Sequence, residues 1–588
     1  MPGVNGRRFA QTLKHSTEKS MLMMRLEKLS KLILALVVTG ITGFTGIANA
    51  QSIVSTDVVT DTTWGVGGVA CPIILDGPIF VIDAKLTITP GCVLRGQPRT
   101  ALFDPLNPAA ATPGTLVISQ GGFLDAQGSR TNPIIFTTAA VDNNNDGVAD
   151  DIDTNGFPDA WVAGDLFLDD TPATNPLAPL DTAGNQNTGL HGGLVLLGRA
   201  PTNLDDSAGV GFGKGTVEGL PVPGFSPAAA TYGGYEPHDS SGIIRYLSVR
   251  HAGDEIGAGN ELNGITLGGI GDGTVFEFVE SYANADDGYE WFGGTMNANN
   301  IVSVYVGDDS LDIDQGFTGT IQFAFSVSTF FNQNNAGLFG TGGSGDRAGE
   351  FDGDDCALKC GVQQDQDSSA FVDTSWPNAN VYIYNWTHIG NSGTADGFTN
   401  PAVSPASDNR GIQADTNWTG AVLNSIVVNL NTLAGFELSS SAFDVPDSDV
   451  VRVVASTFAN TTATSGLAAA ALAGGDAAVV AGKYDGGSAN VDGGSTNLLV
   501  NENMYFVPTG AISNGRGKLQ GAKTDASGTA GAVPADPRPA NPAAAEVSGG
   551  VAPRGFGLDS SATYRGAFPA SQPLWTDGWT TLDMGGVL

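Results

Sequence analysis

The chain of 588 residues carries 61 Asp and Glu against 26 Lys and Arg, a formal charge of −35, and only 15% of its residues are charged. That balance excludes nucleic acid as a partner, because its phosphates would be repelled. The length excludes one ordinary globular domain, although repeat folds escape this limit because each repeat packs only on its neighbours.

Residues 1–50 read as a secretory signal peptide with an upstream start extension. Arg25, Lys28 and Lys31 precede the apolar run 32–47, and Ala48-Asn49-Ala50 is a small-x-small cleavage site. Met21, Met23 or Met24 is the expected start. Thr39, Gly40, Thr42, Gly43, Thr45 and Gly46 interrupt the run and argue against an anchor, and no later run reaches the ~20 apolar residues of a spanning helix. The protein is therefore expected to be exported, to an extracellular, cell-surface or periplasmic location. Without residues 1–50 it has 19 basic and 59 acidic residues, a charge of −40. In an oxidising compartment Cys71, Cys92, Cys356 and Cys360 are expected to form disulfides. Cys71 with Cys92 and Cys356 with Cys360 is the economical pairing of the three available. Zinc is the rival for Cys356 and Cys360, but their C-x3-C spacing has no second pair nearby.

The 82 glycines, about twice the usual ~7% share, fit many short strands and tight turns. The run Leu86-Thr-Ile-Thr-Pro-Gly-Cys-Val-Leu-Arg-Gly96 is echoed from Leu116 to Gly128, and Asn132 to Thr138 continues the echo. Each unit reads strand, glycine turn, strand. Further strand candidates follow at 192–198, 241–251 and 263–271.

Between them, 141–159 breaks the pattern with Asp142, Asn144, Asp146, Gly147, Asp150 and Asp153, oxygen ligands at alternating positions around a turn glycine. This spacing predicts a calcium loop. It resembles the calcium loops of thrombospondin type 3 repeats and the first half of an EF-hand loop. The terminal Glu and flanking helices of the EF-hand are missing.

Three alternating runs then follow, 275–282, 301–306 and 320–329. Asn284-Ala-Asp286-Asp287-Gly288 follows the first, and Gly307-Asp308-Asp309-Ser310-Leu311-Asp312 follows the second. Asp286 and Asp308 are 22 residues apart, a plausible length for one coil of a parallel β-helix, in which residues one coil apart stack. Neighbouring strands lie about 4.8 Å apart. Asp286, Asp287, Asp308, Asp309 and Asp312 would thus concentrate negative charge, and Ca²⁺ is the expected counter-ion. After an insertion at 330–380, coils resume at 381–386, 421–430 and 450–458. Residues 511–555 form a Pro, Ala and Gly-rich linker, and 556–588 form an aromatic tail, with Tyr564, Phe568, Trp575 and Trp579, expected to dock and to cap a coil edge.

The fold class is therefore all-β: a right-handed parallel β-helix over residues 51–510, its coils running from Val58 to Phe506, with long inserted loops and a docked C-terminal tail. The strand order resembles the opening coils of pectin-lyase-like β-helix proteins. The block Asn284 to Gly294, the Gly-Gly-Leu coil at 192–194 and the Tyr-x-Gly-Ala-Phe tail at 564–568 resemble a family of uncharacterised exported bacterial β-helix proteins. That resemblance implies no activity.

Asn284-Ala-Asp286 and Gly307-Asp308-Asp309 also resemble the Asn-Thr-Asp and Gly-Asp-Asp motifs of polygalacturonases. This likeness implies Asp286, Asp308 and Asp309 as catalytic carboxylates of an inverting hydrolase. The Gly-His-Gly and Arg-Ile-Lys elements of that family do not occur in the chain. A polysaccharide lyase would need a base, for which Arg245, Arg250 and His251 are candidates. Tyr289, Trp291, Trp386 and Trp418 could stack on sugar rings or fill the core. The leading expectation is a calcium-stabilised, non-catalytic protein that binds polysaccharides or cell-surface glycans. The alternative is a carbohydrate-active enzyme.

Overall fold

The computed structural model describes residues 51–99, 112–144, 149–151, 157–168, 187–204, 227–257, 260–328, 347–353, 379–390, 410–415, 418–428, 435–438, 451–459, 548–555 and 557–584, with short pieces within 211–220, 484–501 and 536–543 and at 588. The signal segment, Asp146, Asp153, Cys356, Cys360 and most of 511–547 lie outside the described residues.

The chain winds into a parallel β-helix with three faces. Lys85–Ile88, Phe123–Gln127 and the first half of Gly242–Arg250 pair in order on the first face. Val93–Gly96, Ile134–Thr138 and the second half of Gly242–Arg250 pair on the second. Thr115–Ile118, Leu194–Leu197, Ile265–Gly268, Tyr289–Phe292 and Leu311–Asp314 pair on the third. The central coils are the tightest. Val275 pairs with Asn297, 22 residues on, and Asn297 pairs with Thr320.

A single backbone device separates the first two faces. Gly242–Arg250, Val275–Tyr282, Asn297–Val304 and Thr320–Val327 each bend at one residue with positive φ: Tyr246 (49°), Phe278 (56°), Asn300 (55°) and Phe323 (61°). Asn385 (56°) and Asn424 (52°) continue this column. The left-handed conformation costs an L-residue free energy, least for Asn. Stacking offsets part of that cost for Tyr246 and Phe278, whose rings lie 4.5 Å apart and 4° from parallel. The bend resets side-chain alternation, so both halves of each strand send apolar residues inward.

Leu86, Leu124, Ile244, Phe276, Ala298, Ile321, Ile383 and Val422 stack along the interior with Trp64, Trp291, Trp386 and Trp418. The disulfide Cys71–Cys92, with Cα atoms 5.4 Å apart, joins the opening coils. Insertions leave at two corners. Residues 139–193 emerge between the second and third faces, and 198–241 between the third and first. The expected insertion at 330–380 in fact contains a coil strand, Arg347–Asp352, paired with both Leu311–Asp314 and Arg410–Asp415. Its six residues, with Gly349 among them, are too few to show the alternation.

The tail docks, but as a strap along the helix rather than over a coil end. Val551 exchanges hydrogen bonds with the Asn424 side chain at 2.7 Å each way, and Asp559 N–H donates to Gln322 at 2.8 Å. The Asn385 amide donates to Tyr564 O at 2.7 Å, and Ala567 N–H to Thr387 Oγ1 at 2.8 Å. Further on, Asp577 pairs with Arg130. The strap thus runs from late coils back to early ones. The expected linker is itself structured in part: Asp536–Pro539 pairs antiparallel with Leu499–Asn501, and contacts with the coils follow from 551. Phe568, Leu574, Trp579 and Leu582 bury against Tyr282, Val302, Val304, Phe325 and Val327 on the outside of the second face. Each such side chain contributes roughly 1.5–3 kcal/mol. Gly566, with φ +83°, lies where a Cβ would stand 2.7 Å from Thr387 Oγ1, so a side chain there would lift the strap.

Candidate functional site: an acidic outer face

Strand alternation on the third face points Tyr289, Trp291, Leu311, Ile313 and Phe351 into the core. It leaves Glu290, Asp312, Asp314, Glu350 and Asp352 on the outside, half-buried. Register then aligns Thr266, Glu290, Asp312, Glu350 and Gln413 in one row across five coils. Like charges directly opposite on neighbouring strands destabilise a sheet, and three successive positions of this row are acidic.

The loops entering these strands add more charge. Asn284 shapes the first: it accepts the Ser281 hydroxyl at 2.8 Å, and its amide donates to the carbonyls of Asp286 and Asp287. The second loop is pinned on the first, since Asp309 N–H donates to Asp287 Oδ1 at 2.8 Å and Gly288 N–H to Asp309 O at 2.8 Å. Two carboxylate triads result, Asp286/Asp287/Asp308 and Asp287/Glu290/Asp312, each with one oxygen per residue within 4.8 Å of the others. Asp287 belongs to both.

Electrostatics follow from this crowding. Burial, followed by the charges of Asp286, Asp312, Asp309 and Asp308, pushes the Asp287 carboxyl well above the usual range. Burial, then Glu290, Asp314, Asp309 and Glu350, does the same to Asp312. Arg347 answers part of the charge: its Nη1 lies 3.1 Å from Asp309 Oδ2 and also bonds Glu350, while Nε donates to Gln413 at 3.1 Å. Asn263, buried, donates to Glu290 and to Thr266.

The structure therefore brings together Asp286, Asp287, Asp308, Asp309 and Asp312, the five candidates from the central ladder. Glu290, Glu350 and Arg347 join them without having been singled out. Glu290 was legible in principle, 22 residues before Asp312; Glu350 and Arg347 were hidden in the supposed insertion.

The loop at 142–150 is separate. Asp142 and Asp150 are buried, and Asp150 accepts Asn143 N–H at 2.7 Å and the Asn144 amide at 2.8 Å. Among the described residues, the carboxylate triads are the two on the third face.

Other candidates resolve structurally. Tyr289, Trp291, Trp386 and Trp418 are fully buried and offer no stacking platform. Arg245 pairs with Glu277 on the first face, and Arg250 lies beneath the strap, donating to Ser248 and Met584. His251 is buried at a positive-φ corner with Nδ1 2.6 Å from Asn187 O. None of these three sits on the acidic face.

Three parallel faces around an apolar interior, with acidic residues stacked outside one of them, define a parallel β-helix protein. The chain belongs to the pectate-lyase-like β-helix domain family, whose model matches residues 170–469, just over half of it. Among solved structures, the Dettilon tailspike protein is similar at 9% identity and a TM-score of 0.16, covering 65% of this chain and 60% of its own length. No curated protein matches. No helix among the described residues is long and apolar enough to cross a membrane.

Proposed function

We propose that this is an exported, non-catalytic carbohydrate-binding β-helix whose acidic face holds Ca²⁺ and uses it to engage glycans. The observation that carries the reading is the pair of triads sharing Asp287. Ca²⁺ takes six to eight oxygen ligands, so three carboxylate oxygens would leave coordination positions for the hydroxyl or carboxylate oxygens of a saccharide. A cation would also remove the repulsion that now favours protonation of Asp287 and Asp312. Export is supported by the segment at 21–50 and by the Cys71–Cys92 disulfide, since such bonds persist in oxidising compartments.

One observation favours a second reading, that of a carbohydrate-active enzyme using Asp286, Asp308 and Asp309. A carboxyl raised by burial and by neighbouring carboxylates, as Asp287 is, is one half of the pattern of an acid and base pair. Distance argues the other way. Inverting hydrolysis needs carboxyl groups about 6.5–9.5 Å apart, whereas ligand oxygens of Asp286 and Asp308 approach within 4.8 Å.

Incubation of the protein with acidic and neutral polysaccharides, with and without Ca²⁺, separates the two readings. Glycan retention that requires Ca²⁺, without new reducing ends or unsaturated products, is expected. Turnover abolished by Asp308→Asn would overturn the non-catalytic reading.

A further inference from the structure

The strap is held by hydrogen bonds and buried apolar side chains, and its last turn, Thr581–Met584, adds to buried Leu582 a contact with a carboxylate withdrawn from water. Glu280 has no exposed surface. Its two oxygens each accept the Thr581 backbone N–H at 2.9 Å. Oε2 also accepts the Thr581 hydroxyl at 2.7 Å and the Ser248 hydroxyl at 2.5 Å.

The charge nearest Glu280 is that of the buried Arg250. The neighbour of Glu280 on the next strand is Val302. On the preceding strand, Arg250 lies near but donates to Ser248 Oγ and to Met584 Sδ. Tyr289, on the interior side, donates to the carbonyls of Val279 and Val302. The strap brings its own acids: Asp583, which accepts Gly578 N–H, and Asp577, which pairs with Arg130.

We propose that residues 549–588 form a releasable strap, and that the Glu280–Thr581 contact is the latch that makes docking of its C-terminal end depend on pH. Lifting the strap would return Glu280 to water and uncover the apolar outside of the second face.

The direction follows from the balance at Glu280. Burial raises its carboxyl above the ordinary glutamate range, outweighing the opposing pull of Arg250 and of the Ser248 and Thr581 donors. A group raised in the docked state favours docking fully below its ordinary value, and that contribution is lost as pH rises through the raised one. The strap should therefore loosen toward higher pH, by at most about tenfold in open population per pH unit across that window.

Hydrogen exchange on the full chain tests this, followed in peptides covering 575–584, corrected for intrinsic rates, with the coil at 85–88 as internal reference. Running the series in both chelator and Ca²⁺ separates any response of the acidic face. Strap protection is expected to fall with rising pH while the reference stays protected. Glu280→Gln, neutral at every pH, should flatten the dependence. Thr581→Val, which removes a donor to the ionised form, should steepen it. A slope that persists in Glu280→Gln, or a parallel loss in the reference coil, would overturn the proposal. If Glu280→Gln does not fold, an unchanged slope in Thr581→Val would overturn it instead.

Discussion

In the coils from Val275 to Val327 the second and third faces share one interior and differ on the outside. On the second face Val302, Val304, Phe325 and Val327 point outward and are covered by Phe568, Leu574, Trp579 and Leu582. On the third face the outward positions are Glu290, Phe292, Asp312 and Asp314; Phe292 stacks on Tyr232, and the other three are acidic. Inward residues build the helix, and outward residues decide what each face meets. The apolar face meets a segment of its own chain. The acidic face is left with repulsion that a cation would relieve.

The comparison breaks most visibly at Trp579. Truncation of this fully buried ring by Trp579→Ala should destabilise the strap by about 3–5 kcal/mol, the usual range for large aromatic truncations. It should expose apolar surface, read as dye binding or self-association. An unchanged melting temperature would mean that the strap adds nothing to the fold.

On the acidic face the sign should reverse. Asp312→Asn removes a charge opposed by Glu290 and Glu350 in the stacked row. It should stabilise the chelator-treated protein, by roughly 1 kcal/mol or less at cross-strand magnitudes. The pH dependence sharpens the same point. Because Asp287 and Asp312 are raised in the fold, their contribution is present at low pH and is lost as pH rises through the raised values. Chelator-treated protein should therefore lose stability toward neutral pH, and Asp312→Asn should lose less. A lower melting temperature for Asp312→Asn in chelator would show that the carboxylate is held by partners that favour its charge.

Much of the helix was legible because its central coils are short and regular. The 22-residue spacing of Asp286 and Asp308 matches the register between Val275 and Asn297. What escaped was geometry that alternation cannot express. Nothing in the side chains of Tyr246, Phe278 or Phe323 announces a left-handed bend; among the described residues of that column, Asn300, Asn385 and Asn424 have a residue type suited to it. The expected run 301–306 accordingly starts late: the strand is Asn297–Val304, whose first half lies before the bend. Arg347 and Glu350 escaped for a different reason. Their coil is separated from its neighbours by long insertions, so no fixed period connects Asp312 to Glu350. The tail's aromatics signalled docking, but a groove running across many coils is a property of the stacked helix, invisible in any one segment.

The acidic face is tested most directly by the melting temperature of the mature protein in Ca²⁺ and in chelator, for the wild type and for Asp287→Asn. Binding confined to the folded state stabilises by RT ln(1 + [L]/Kd), about 2.7 kcal/mol at a hundredfold excess over Kd. The wild type should melt higher in Ca²⁺, and Asp287→Asn, which removes the carboxylate shared by both triads, should lose most of that gain. Equal melting temperatures for the wild type in Ca²⁺ and in chelator would contradict the assignment of this face as a cation site.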